Sequence, residues 1–132
     1  MTEPIWLDQP AMMQAHDEVI ALTGGAAGLR DEGLLLSALS RPLNAYGYQG
    51  QDDIAVLGAT YAVAIAKNHP FIDGNKRAAF VGMIVFLASN GHRLTATQDD
   101  ATATMYGVAE GKIDIDALAA WVRANSVATI LS

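Results

Sequence analysis

Cysteine is absent from this 132-residue chain. That excludes disulfides, thiolate zinc sites and cysteine nucleophiles, and it fits a reducing cytoplasm. Charge is scarce too, at 17% of residues against 52% apolar, so a disordered chain is not expected. Positive charge is scarcest: 8 Lys and Arg face 14 Asp and Glu, for a net charge of −6. A protein that grips a nucleic-acid backbone needs clustered cations, so direct nucleic-acid binding is not expected. Long apolar runs are missing as well. The two most apolar stretches, 54–66 and 78–88, have 13 and 11 residues, short of the roughly 18 that span a bilayer. No membrane association is expected. The N-terminal MTEPIWLDQP lacks both a basic start and a sustained apolar run, so no secretory signal is expected.

What is present reads as helix. Met12, Met13, Val19, Ile20 and Leu22 line one side of a helix from about Pro10 to Leu22, which Gly24-Gly25 ends. Asp31 is the expected N-cap of LLLSALSR, and Pro42 is expected to stop that helix. The segment RPLNAYGYQGQ then reads as an exposed, irregular connection. Asp52 or Asp53 caps a helix to about Lys67, ended by His69-Pro70. The next helix starts near Gly74 or Asn75 and runs to Ser89, stopped by Asn90-Gly91. Thr97 opens another that ends near Gly111. Asp114 opens the last, with Ile115, Leu118, Ala119 and Val122 inward. No strand of useful length and no repeat is apparent. The expectation is an all-α fold: residues 1–132 as a single domain of about six helices, with the two most apolar ones central.

Between those two helices lies HPFIDGNKRAAF, residues 69–80, the least packing-like stretch of the chain. Residues 67–77 hold Lys67, Lys76 and Arg77 against Asp73 alone, a +2 island in an acidic protein. Such an island suits a compact anion better than a polymer. The first turn of a helix leaves N–H groups unsatisfied, and the helix dipole adds to their pull on anions. Gly74 lets backbone approach a ligand with no Cβ in the way. Lys76 and Arg77 in that turn oppose the dipole, a penalty that a bound phosphate reverses. Asp73 has two readings, as N-cap of the turn or as a Mg2+ ligand beside phosphate oxygens. Asn75 would orient either arrangement.

His69 is the natural proton acceptor, and a hydrogen-bonded structural histidine is the alternative. Phe71 and Ile72 are expected to face the core and pin the loop. His16 and His92 read as surface or structural residues, and three scattered histidines give no zinc-ligand spacing. GNKRAAF lacks the glycine spacing of a P-loop. The GGAAG loop reads as a helix terminator rather than a phosphate cradle.

HPFIDGNKR resembles the Fic/Doc signature, in which a histidine and a phenylalanine precede an acidic residue, a small residue and Asn. GLRDEGLLLSALSRP (28–42) and ATYAVAIAKNHPFIDGNKRAAFVGMIVFLASNG (59–91) are similar to the Doc, or death-on-curing, branch. The resemblance implies an α-helical domain that moves part of a nucleotide onto a hydroxyl of a target protein. His69 would be the general base. Asp73 would assist with Mg2+, and Gly74, Asn75, Lys76 and Arg77 would hold the phosphates of ATP.

Two positions depart from the GNGRxxR pattern of adenylyl-transferring Fic proteins: Lys76 replaces a glycine and Phe80 an arginine. Lysine fills space that glycine leaves open, and phenylalanine offers no guanidinium to a terminal phosphate. Both disfavour transfer of the α-phosphate. The Doc-like NKR form implies a toxin kinase that phosphorylates a threonine of elongation factor Tu and arrests translation. AMP transfer, or a catalytically silent antitoxin-binding module, are the alternatives. Many Fic proteins block themselves with a Ser/Thr-x-x-x-Glu-Gly/Asn helix. Here the Glu-Gly pairs at 32–33 and 110–111 are preceded by Gly28 and Tyr106, so neither fits. Inhibition is therefore expected from a separate, Phd-like antitoxin.

Overall fold

The computed structural model describes residues 2–129, among which lie six helices and a two-stranded ribbon. Five of the helices begin where a short polar side chain takes up a free N–H of the first turn. Asp8 accepts from Ala11 at the head of α1 (Gln9–Thr23), and Asp31 accepts from Leu34 at the head of α2 (Glu32–Gln49). Asp53 accepts from Ala55 ahead of α3 (Ile54–Asn68). Thr97 accepts from Asp100 ahead of α5 (Gln98–Ala109), and Asp114 from Ala117 ahead of α6 (Ile115–Ala124). α4 (Asn75–Ser89) is the exception, because Gly74 stands at its cap and no side chain caps it.

The centre is α3, buried at Ala55 and at every position from Leu57 to Ala66. It packs against α2, α4, α5 and α6, while α1 closes over α4. A helix apolar on all sides belongs inside, so the expected central pair is the observed one. One hydrophobic cluster draws on all six helices. Strands β1 (His92–Leu94) and β2 (Ser126–Ala128) pair antiparallel, His92 opposite Ala128, and are too short to alter the all-α class. No helix among the described residues is long and apolar enough to cross a membrane.

Two polar anchors, one of them buried, fasten the segment ahead of α1. The Tyr61 hydroxyl accepts from Leu7 N at 3.1 Å and donates to Leu7 O at 3.4 Å. Burial pushes the Tyr61 phenol up to about 12, the Leu7 contact opposes that, and the Asp8 charge adds to it. Asn90 accepts from Ile5 N at 2.8 Å and donates to Ile5 O at 2.9 Å, as a neighbouring strand would.

Pro42 does not stop α2; the helix runs through it to Gln49. An interior proline costs about 3 kcal/mol. Packing of the second half offsets this: Pro42 is buried, Ala45 joins the core, and the Tyr46 ring meets Trp6 edge-on at 5.4 Å. The predicted irregular connection over 41–51 is therefore mostly helix, closed by Gly50. Leu22 is a second correction, at 86% exposed. The stripe that α1 buries is Met12, Ala15, His16 and Val19, and Leu22 lies roughly 70° off its centre.

Candidate active site

The site is the loop from His69 to Gly74 together with the first turn of α4. His69 caps the end of α3 at φ +49°, the one non-glycine residue at positive φ among the described residues. Its imidazole is exposed. Pro70 is buried, and its carbonyl accepts from Arg30 N at 2.7 Å and Asp31 N at 3.1 Å. Phe71 is fully buried and forms an isolated antiparallel bridge with Leu29. Ile72 N donates to Gly28 O at 3.1 Å. The α1–α2 connection therefore runs alongside the motif loop as a strap.

Ile72 does not face the core as expected; it is 56% exposed. In extended chain neighbouring side chains point opposite ways, so burying Phe71 turns Ile72 outward. Phe71 packs on His16, with ring centroids 3.8 Å apart and planes 5° from parallel. His16 is fully buried, which corrects its reading as a surface residue and leaves the structural one. Its Nε2 lies 2.8 Å from Asp73 O. A carbonyl only accepts, so the proton sits on Nε2. Nδ1 is then a buried acceptor without a partner.

Asp73 is not the N-cap of α4. Its Oδ1 accepts from Gly74 N at 2.8 Å and its Oδ2 from Ala26 N at 3.4 Å, leaving the first-turn N–H groups of α4 without a side-chain cap. The carboxylate is exposed and close to the strap. A Cβ on Gly25 would stand 2.5 Å from its Oδ2. Gly24 ends α1 as expected, but the rest of the GGAAG loop shelves the motif carboxylate. Gly74 is required by its left-handed backbone, φ +74°, and by Ile20, whose Cδ1 would lie 3.2 Å from a Cβ there.

The Asn75 side chain accepts from Phe71 N at 2.9 Å and donates one amide hydrogen to Phe71 O at 3.0 Å, which pins it to the loop and leaves its second amide hydrogen uncommitted. Lys76 places its Nζ 3.3 Å from the centroid of the Tyr106 ring, a cation–π contact with α5. Arg77 is exposed. Neither Lys76 nor Arg77 pairs with a carboxylate; the ion pairs among the described residues are Lys112–Glu110 and Arg123–Asp53. Phe80 packs against the core.

The loop and the turn that follows it thus carry an exposed imidazole, an exposed carboxylate, two cations and a helix N-terminus with no side-chain cap. A depression of about 530 Å3 lies elsewhere, between α2, α3 and the start of α6. No cluster of three His, Asp or Glu that could hold a metal by itself occurs among the described residues. Mg2+ held mainly by phosphate oxygens and water needs only one or two carboxylates. Asp73 fits that demand, since two backbone N–H groups orient it and its remaining lone pairs face out.

Comparison with known proteins falls on this same region. The model of the Fic/DOC family matches residues 6–87, from the segment ahead of α1 to the last turn of α4. The chain belongs to the Fic/Doc family. Among curated Fic/Doc proteins, it is 32% identical to "Protein kinase doc" of Escherichia phage P1 over 112 residues, 85% of this chain and 88% of that protein. It is 37% identical to "Toxin Doc" of Mycolicibacterium smegmatis over 100 residues, 74% of this chain and 77% of the relative. Both place it with the Doc branch.

Four contributors to this Fic/Doc site escaped the sequence reading: His16, Arg30, the Gly25–Ala26 shelf and Tyr106. Only His16 carried a signal, by falling in register with Met12, Ala15 and Val19 on the buried stripe. The other three act through distant pairings that no local pattern encodes.

Proposed function

We propose that this Fic/Doc protein is a toxin that transfers the terminal phosphate of ATP to a hydroxyl of a translation factor in the cytoplasm. The names of its two relatives support a toxin and a transferase, and elongation factor Tu is the substrate that the Doc resemblance implies. The observation that carries the reading is the uncapped N-terminus of α4, flanked by Lys76 and Arg77, at the end of the loop that His69 begins. His69 takes the proton of the attacking hydroxyl. The hydroxyl oxygen bonds to the γ-phosphorus as the bond to the β–γ bridging oxygen breaks, and ADP leaves. The N–H groups of the first turn, with the two cations, hold the phosphates. Asp73 would help to hold Mg2+, which would neutralise phosphate charge.

What supports the γ- over the α-phosphate is Phe80, which packs partly buried against the core and offers no guanidinium to a terminal phosphate. A separate Phd-like antitoxin would restrain the enzyme in the cell. Incubating the protein with Mg2+, elongation factor Tu and ATP labelled at the α- or γ-phosphate tests the reading. Label should pass from the γ position only and vanish in His69→Ala. Transfer from the α position would replace the kinase by an AMP transferase. Toxicity that survives His69→Ala would leave a non-catalytic binding module.

A further inference from the structure

The geometry points to Arg30 as a positioning residue for His69, acting across 39 residues of sequence through the carbonyl of the base itself. Its Nε donates to His69 O at 2.7 Å and its Nη2 to Asn68 O at 2.9 Å. The Arg30 backbone N–H adds a 2.7 Å bond to Pro70 O. One residue of the strap therefore satisfies three successive carbonyls at the point where α3 turns into the motif loop.

That turn needs outside support. The last carbonyls of a helix have no partner within it. The left-handed region is also unfavourable for a residue with a Cβ. His69 nevertheless holds φ +49°, ψ +54°. Backbone strain of this kind persists where surrounding structure over-determines it. The planar guanidinium fork supplies that constraint, since two parallel donors fix both carbonyl directions and with them the place of the His69 Cα. No carboxylate competes for the fork among the described ion pairs. The positive charge also complements the C-terminal end of the α3 dipole. From the far side, Asn68 donates through Nδ2 to Leu34 O at 2.9 Å, tying the same corner to α2.

This inference rests on the proposed phosphoryl transfer for its kinetic readout only. Arg30→Met keeps the apolar stem and removes the fork, and Arg30→Lys keeps the charge with a single point of donation. Arg30→Met should lower kcat about a hundredfold, the loss that follows misplacing a reacting group by about 1 Å, with the KM for ATP unchanged. Arg30→Lys should fall between, and added guanidinium ion should restore part of the Arg30→Met rate. Proteins with 13C-labelled histidine give a second readout. In Arg30→Met the imidazole resonance of His69 should shift or broaden while those of His16 and His92 stay in place. An unchanged His69 resonance, or all three moving together, would overturn the assignment, as would kcat and KM changing in proportion to lost stability. If the wild type transfers no label, the proposed chemistry fails and the histidine resonances alone decide the role of Arg30.

Discussion

Replacing His16 separates the two things it does, stacking on Phe71 and donating to the Asp73 carbonyl. His16→Phe keeps an aromatic face at the 3.8 Å stacking distance and removes the Nε2 donor. A part-buried carbonyl left without its donor costs at most about 1–3 kcal/mol. The same change removes Nδ1, which the native fold buries with no partner, and so recovers part of that cost. The net loss should be about 0–2 kcal/mol. His16→Ala loses the donor, the aromatic pair and the volume of a fully buried ring. Aromatic pairs contribute about 0.5–1.5 kcal/mol beyond burial, and large-to-Ala changes in cores cost about 3–5 kcal/mol. Both variants lack the donor and Nδ1, so the alanine variant should be about 3–5 kcal/mol less stable than the phenylalanine one. At roughly 3–5 °C per kcal/mol for a chain of this size, thermal melts followed by circular dichroism would separate them by about 9–25 °C. Equal melting temperatures would refute the reasoning, because they would mean that the Phe71 stack carries no stability.

Asn75→Ala removes two hydrogen bonds to the Phe71 backbone and should cost about 2 kcal/mol by chemical denaturation. Asn75→Asp should weaken ATP binding further than Asn75→Ala, since its carboxylate would face both the Phe71 carbonyl and the phosphates; ATP titration with unaltered affinity for the Asp variant would count against the site. Tyr61 carries a pH signature. Its folded pKa is raised to about 12 by burial, so its contribution is intact below the unfolded value near 10 and is lost as pH rises through the folded one. Urea midpoints measured from pH 9 to 12 should fall by an amount equivalent to as much as roughly 3 kcal/mol from this group. The Tyr61→Phe variant should lack that component of the fall.

Most of the helical framework was legible because capping and periodicity are local. Asp31, Asp53, Thr97 and Asp114 announce their helices through side chains three residues or fewer from the N–H they accept. Pro42 misled because a local penalty was weighed without the burial of Ala45 and Tyr46 beyond it, which depends on Trp6 and α3. At the site the motif letters pointed to His69, Asp73 and the first turn of α4 as one segment, and the chain does run from the end of α3 through that loop into α4. They did not show that Asn75 spends its amide on Phe71, or that Asp73 leaves the helix uncapped. Side chains such as Asn and Asp have several local partners within reach, and which one wins depends on backbone angles that only the assembled loop fixes.

The strap has a consequence for the order in which the chain becomes competent. The ties that hold the motif loop span 39 residues for Arg30 to His69, 47 for Ala26 to Asp73 and 57 for His16 to Asp73. Closing loops of that length comes at an entropic cost that must be met before the contacts form, so such pairings tend to form late. A nascent or partly unfolded chain would carry every letter of HPFIDGNKR and still lack the geometry that places the His69 backbone. Catalysis by this protein would then report the finished fold, and a chain cut off before α4 docks would be harmless.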